Sequence, residues 1–183
     1  MQFLLIFLLS VSSAIVYGIL HDQVTAHLCV EYFTIGHPPV FATTDPTLLA
    51  FGWGIIATWW VGAILGIPLG LAARVGSLPK RSARSLIRPI AILLASMGLC
   101  ALVAGIIGYF AAKSQRIELF EPLASRLPRE KHIAFLTDAS AHIASYATGF
   151  FGGLLLIVWV LIARYRAGVA ERLAERAAHR VTP

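Results

Sequence analysis

Two stretches of the chain combine histidines with carboxylates, the side chains that most often bind transition metals. The first stretch, residues 21–39, carries His21, Asp22, His27, Glu31 and His37. The second stretch, residues 132–142, carries His132, Asp138 and His142. Three or four such ligands suit zinc, or iron or manganese where more oxygen ligands join.

The spacing of these side chains indicates which of them lie together. Asp138 and His142 are four residues apart, so on a helix they lie one turn apart on the same face. In the first stretch, the glycine and prolines around His37 end any helix there. His37 is therefore expected on a turn that folds back beside Glu31.

We predict a divalent metal site whose ligands come from both stretches, namely Glu31, His37, Asp138 and His142. A water molecule in an open coordination position would be activated for hydrolysis, with Asp22 or Glu31 as the general base. The sequence has no His-Glu-x-x-His pattern and no phosphate-binding glycine loop. The pattern therefore predicts a site without naming its reaction.

Each of these side chains also has a structural alternative. Asp138 precedes a long apolar run and can cap its helix. Glu31 can neutralise a nearby arginine such as Arg126 or Arg129. His142 is harder to explain in this way, because an imidazole inside an apolar span usually has a polar partner.

The elements that position these residues are long apolar runs. The chain has 183 residues, of which 58% are hydrophobic and 13% charged, and runs of about 20 apolar residues indicate membrane-spanning helices. We predict an all-α integral membrane protein, a four-transmembrane-helix bundle that forms one domain over residues 1–183. Its spans are expected at about 1–20, 47–73, 89–112 and 137–163.

The first run could imitate a signal peptide, which has a basic start and a cleavage site of small residues. No lysine or arginine precedes it, however, and it continues past the small residues 12–14. We therefore predict an uncleaved first span.

Basic residues predict the orientation of the bundle, because they accumulate in cytoplasmic loops. The link between spans 2 and 3 carries Arg74, Lys80, Arg81, Arg84 and Arg88. The tail, residues 164–183, carries Arg164, Arg166, Arg172, Arg176 and Arg180. Both termini are therefore expected in the cytoplasm, and the polar segments 20–49 and 113–140 are expected to face each other on the outer side, the periplasm in a bacterium.

The net charge of +6 raises the question of partners. The basic residues of the chain flank apolar runs. This position favours the lipid bilayer as the partner, with anionic lipids at the cytoplasmic tail, over nucleic acid. Small residues recur at intervals of four at Gly62, Gly66 and Gly70 and again at Ser145, Gly149 and Gly153. Such faces allow close helix packing, either within the chain, in a homo-oligomer or with another membrane protein.

Four short segments resemble a family of small, uncharacterised bacterial inner-membrane proteins: residues 21–25 (HDQVT), 31–34 (EYFT), 37–38 (HP) and 59–62 (WWVG). The resemblance implies a bacterial inner membrane. It implies no activity, cofactor or site residue.

Three functions remain open at this stage. The first is a metal-dependent hydrolase with its site at the outer face, acting on a lipid or envelope substrate. The second is a non-catalytic subunit or scaffold of a membrane complex. The third is a small transporter or electron carrier, although haem would require histidines that face each other across the bundle.

Overall fold

The computed structural model describes residues 1–181, with side chains to His179, and shows helices but no strand in that range. The helices are α1 (Gln2–Leu28), α2 (Val30–Thr34), α3 (Pro46–Ile56), α4 (Trp59–Arg74), α5 (Ala83–Lys113), α6 (Leu123–Arg126) and α7 (His132–Val181), with a 3-10 turn at Arg129–Lys131. The last two residues of the predicted tail and the Arg180 side chain lie outside the described residues.

Four helical stretches are long and apolar enough to cross a bilayer: Gln2–Leu28, Pro46–Arg74, Ala83–Lys113 and Arg129–His179. The predicted all-helical fold with four such helices is confirmed. Their ends differ from the predicted ends, because α1 continues eight residues beyond Leu20 and α7 begins five residues before Thr137. Neither residues 21–28 nor residues 132–136 contain proline or glycine, so the helix continues through both stretches.

The predicted third span also begins earlier. Helix α5 starts at Ala83, and Ser82 is its N-cap residue. The Ser82 hydroxyl accepts a hydrogen bond from the Ser85 backbone N–H. Pro89, which was expected in the first turn, therefore lies inside α5.

The second apolar stretch is interrupted between α3 and α4, where it crosses α1 at very short range. A Cβ atom added to Gly18 would lie 2.5 Å from the Thr58 side chain and 2.6 Å from the Gly54 carbonyl oxygen. A Cβ atom added to Gly54 would lie 2.5 Å from the Ile19 nitrogen. The two backbones touch through these glycines, and this contact fixes the turn of α1 that precedes His21.

The glycine-lined faces are occupied within the chain. Added Cβ atoms at Gly62 and Gly66 would lie 2.8 and 2.9 Å from atoms of α1. At Gly149 and Gly153 they would lie 2.8 and 2.7 Å from the side chains of Met97 and Leu65. These faces therefore account for the packing of the four helices against one another.

The two polar segments contact each other at one end of the bundle, which we call the site end. Cys29, Leu127 and Phe135 form a buried cluster between them. At the opposite end, which we call the Arg164 end, the Arg164 side chain is 1% exposed. Its guanidinium donates hydrogen bonds to the backbone carbonyl oxygens of Ala72, Val75, Leu78 and Pro79. Arg164 thereby binds the end of α4 and the turn after it to α7.

Candidate metal centre

Three potential metal ligands meet between α1 and α7 near the site end. They are His21 and Asp22 from α1 and His142 from α7, and one ligand atom of each lies within 4.8 Å of the others. Asp22 is 6% exposed and His142 is 1% exposed. Two helices that are distant in sequence thus bring together a partly buried imidazole, a buried imidazole and a buried carboxylate, which we call the His21–Asp22–His142 group.

The His142 ring is held in an orientation that leaves one nitrogen free to bind a ligand. Its Nδ1 lies 3.0 Å from the backbone carbonyl oxygen of Asp138, to which it donates a hydrogen bond. Nε2 then carries the lone pair, as it does in metal-binding histidines whose other nitrogen is fixed by a carbonyl. This nitrogen lies 3.4 Å from Oδ1 of Asp22.

The distance between Nε2 of His142 and Oδ1 of Asp22 can be compared with the geometry of a hydrogen bond and of a metal site. A charge-assisted hydrogen bond between nitrogen and oxygen is usually about 2.7–2.9 Å long. Two ligands bound about 2.1 Å from a tetrahedral metal ion lie about 3.4 Å apart. The His142–Asp22 distance is compatible with two ligands of one ion, and it also fits a long direct hydrogen bond.

His21 completes the group from the next position on α1. Its ring lies edge-on to that of His142, with 4.5 Å between the ring centroids, and stacks on Tyr17 at 5.7 Å. Its Nε2 is buried and has no hydrogen-bond partner among the described residues. A buried nitrogen without a partner is costly, and a metal ion is one ligand that would satisfy it.

Asp138 is a second carboxylate that requires a partner. It is fully buried, and neither carboxylate oxygen has a hydrogen-bond partner among the described residues. Because α7 begins at His132, Asp138 lies well inside the helix, where the backbone N–H groups bond within the helix; the capping alternative is wrong. A buried carboxylate without a donor is strongly unfavourable unless a positive charge lies near it.

Aromatic rings surround the group and separate it from water. Tyr32 of α2 stacks on His142 with 4.4 Å between centroids, and Tyr146 meets the same ring edge-on at 5.9 Å. The Tyr17 hydroxyl lies 2.8 Å from the Ser145 hydroxyl, joining α1 to α7 one turn from the group. A shell of this kind lowers the local dielectric constant and strengthens the binding of an ion to charged ligands.

Two apolar grooves reach the group from opposite sides of α1. The first, between α1, α5 and α7, has a volume of about 740 Å³. The second, between α1, α3, α4 and α7, has a volume of about 610 Å³. Tyr17 and His21 line both grooves, and Asp22 also lines the second.

The structure brings together only part of the residues predicted from the sequence. Asp138 and His142 share a face as expected, and Asp22, predicted as a general base, lies against His142. Glu31 lies elsewhere: its Oε1 is 2.9 Å from Lys131 Nζ, rather than beside the arginines considered above.

His37 also lies outside the group. Its Nδ1 bonds the Tyr32 carbonyl oxygen at 2.8 Å, and its ring packs on Trp53 with 4.7 Å between centroids. His21 was missed because the first span was expected to end at Leu20. The absence of proline or glycine between His21 and Leu28 is the signal that could have placed it on α1.

Comparisons with known proteins find no match: no family model matches this chain, no curated protein is significantly similar to it, and no solved structure resembles it significantly. The resemblance to small bacterial inner-membrane proteins stays a prediction.

Proposed function

We propose that this chain is an integral membrane protein of the bacterial inner membrane that binds one divalent metal ion at His21, Asp22 and His142. The bound ion would serve in hydrolysis of a substrate that enters from the bilayer. Four apolar helices with many large hydrophobic side chains on their outer surfaces support the membrane setting. The observation that carries the metal site is the meeting of these three ligands beside Asp138, whose buried carboxylate has no donor.

The distribution of charge supports an orientation with both termini in the cytoplasm. The Arg164 end is the basic end, and Arg166, Arg172 and Arg176 on the exposed last turns of α7 lie beyond it. Basic residues of this kind favour the cytoplasmic side and the anionic lipid headgroups found there. In this orientation the metal centre lies near the outer surface of the membrane.

The ligand set is compatible with catalysis. Two imidazoles and one carboxylate leave a fourth position open on zinc, and the same donors bind iron in other proteins. Zinc held by these residues would supply a Lewis acid that lowers the pKa of a water molecule and makes it a nucleophile. Asp138, one turn before His142 on the same face, is the spare carboxylate that would accept the proton of this water.

The experiment that tests this function measures the metal content of detergent-purified protein prepared without chelators and with zinc, iron and manganese supplied in turn. We expect about one ion per chain in the wild type, consistent with one three-ligand site. We expect loss of the ion in His142→Ala and in Asp22→Asn, which keeps the shape of the side chain. His27→Ala is the matched control, because His27 is an exposed histidine of the same helix that bonds the Gln23 carbonyl oxygen.

Gel filtration and circular dichroism report whether each variant keeps its fold. A wild-type protein without metal under all three conditions refutes the proposal. Equal metal in the wild type and in a folded Asp22→Asn variant places the ion somewhere other than the His21–Asp22–His142 group.

A further inference from the structure

The groove between α1, α5 and α7 is the larger of the two that reach the metal centre. Its floor on α5 is made of small residues, Ala95, Gly98, Ala101 and Gly105, and its walls are mainly aliphatic side chains of α1 and α5. A Cβ atom added to Gly98 would have no neighbour within 4 Å. The groove is therefore open space against α5 and not a seam between packed side chains.

The groove has polar groups where it passes the metal centre. His21, a member of the metal-binding group, lines it, and so does Tyr17 one turn earlier. A molecule in the groove would thus have an apolar part along α5 and a reactive part beside His21. A lipid has this combination of a long apolar chain and a polar, reactive group at one end.

The length of the apolar part can be compared with a lipid chain. Gly105 faces Ala141, whose Cβ would lie 3.6 Å from an added Cβ, so Gly105 is level with His142. The eleven residue steps from Leu94 to Gly105 rise about 16 Å at about 1.5 Å per residue. One leaflet of the hydrocarbon core is about 15 Å thick, half of about 30 Å.

We infer that this groove holds one acyl chain of an ester lipid from the outer leaflet, with the ester carbonyl beside His21. The inference rests on the proposed hydrolase function and names its substrate class. In the proposed orientation the site end faces the outer side of the membrane, and the glycerol ester groups of the outer leaflet lie toward that side of its hydrocarbon core. Lateral entry from the bilayer needs no water-filled channel.

The corresponding reaction is hydrolysis of the acyl ester. The oxygen of water bonds to the carbonyl carbon, the bond from that carbon to the glycerol oxygen breaks, and a proton passes to the glycerol oxygen. One fatty acid and one lysolipid leave. No oxidant or reductant is required.

Photo-crosslinking tests where the chain lies. The protein is reconstituted into vesicles of phosphatidylethanolamine and phosphatidylglycerol that contain a phosphatidylglycerol with a diazirine in its acyl chain, and labelled peptides are mapped by mass spectrometry. We expect labelling of α5 residues 94–105 on the groove face. In Gly98→Leu the new Cβ has open space around it, the leucine side chain occupies part of the groove, and this labelling is lost.

Ser96→Leu is the matched control. Ser96 is exposed on the opposite side of α5, and its hydroxyl bonds the Ile92 carbonyl oxygen of the same helix. This variant should keep the groove labelling, and both variants should keep their metal. Equal labelling of the Ser96 and Gly98 faces in the wild type, or unchanged labelling in Gly98→Leu, overturns the inference.

Metal content and released fatty acid, measured on the same samples, separate this inference from the proposed function. Groove labelling in a wild type that binds no metal supports the chain site while refuting the hydrolase. Bound metal without groove labelling overturns the acyl-chain site and leaves the metal centre standing. Release of fatty acid by the wild type and not by Gly98→Leu supports both the acyl-chain site and the hydrolase function.

Discussion

The Nζ atom of Lys131 lies 2.9 Å from Oε1 of Glu31, and this ion pair joins the short helix after α1 to the turn before α7. It lies on the outer side of Tyr32, whose ring covers His142. The pair therefore holds together the two segments that cover the His21–Asp22–His142 group at the site end.

The first prediction concerns pH. Partial burial raises the pKa of Glu31, but the hydrogen bond and charge of Lys131 outweigh it, so the pKa lies below its ordinary value. A carboxylate with a lowered pKa stabilises the fold above its unfolded pKa of about 4.3, and this contribution is lost as pH falls through the folded pKa. We expect Glu31→Gln to lower the free energy of unfolding at neutral pH by less than about 1 kcal/mol, since Lys131 is partly exposed.

The measurement is thermal unfolding of metal-free protein in detergent at neutral and acidic pH. The difference between wild type and Glu31→Gln should vanish at acidic pH. Glu118→Gln, which changes an exposed acid in the polar segment that carries Lys131, should follow the wild type throughout. Loss of bound metal in Glu31→Gln would instead favour the ligand set predicted from the sequence.

The second prediction concerns Asp138. Without metal, its buried carboxylate has no donor, so Asp138→Asn should leave metal-free protein as stable as the wild type or more stable. With metal, loss of the nearby negative charge should weaken binding about 10–100-fold, as for other groups beyond the direct ligands. Metal titration and thermal unfolding of the same preparations test both statements.

Asp45→Asn is the control for an aspartate change elsewhere. Asp45 caps α3 by accepting a hydrogen bond from the Leu48 backbone N–H at 2.8 Å, a role that asparagine also fills. Asp45→Asn should change neither the metal affinity nor the stability of the metal-free protein. A metal-free Asp138→Asn variant that is clearly less stable than the wild type would show that Asp138 has a stabilising partner inside the protein.

The third prediction concerns Arg164. Its planar guanidinium reaches four carbonyl oxygens at the end of α4 and in the following turn, and a lysine ammonium cannot reach all of them. Arg164→Lys should therefore lower the free energy of unfolding by about 1–3 kcal/mol, the usual cost of unsatisfied buried acceptors. Unfolding in mixed detergent micelles measures this, with Arg166→Lys, an exposed arginine of the same helix, as the matched change. Equal stabilities of the two variants would contradict it.

The sequence predicted the helices well because a long apolar run is a local signal. It missed the break between α3 and α4, because that break depends on Gly54 and Thr58 meeting Gly18 of another helix. It also ended the first helix too early, because the polar residues after Leu20 were interpreted as the end of the helix. In the structure the polar turn from His21 continues the helix and faces α7.

In the candidate site, too, contacts within one helix could be predicted from the sequence and contacts between distant helices could not. The shared face of Asp138 and His142 follows from a spacing of four residues, and the sequence therefore predicted it. The approach of Asp22 to His142 joins residues 120 positions apart, and only the packing of α1 against α7 decides it. Glu31 was assigned to the site because His37 was expected to fold back beside it, but its carboxylate pairs with Lys131 instead.

One consequence follows from the position of two buried polar side chains on α7. His142 and Arg164 are 22 residues apart, which is about 33 Å at about 1.5 Å per residue, close to the hydrocarbon thickness of about 30 Å. Two buried polar side chains of α7, His142 of the candidate metal site and Arg164, are thus separated along the helix by about the thickness of the hydrocarbon core. An insertion or deletion between these two residues would change their separation, whereas a membrane of different thickness would have to adapt to the protein or tilt it.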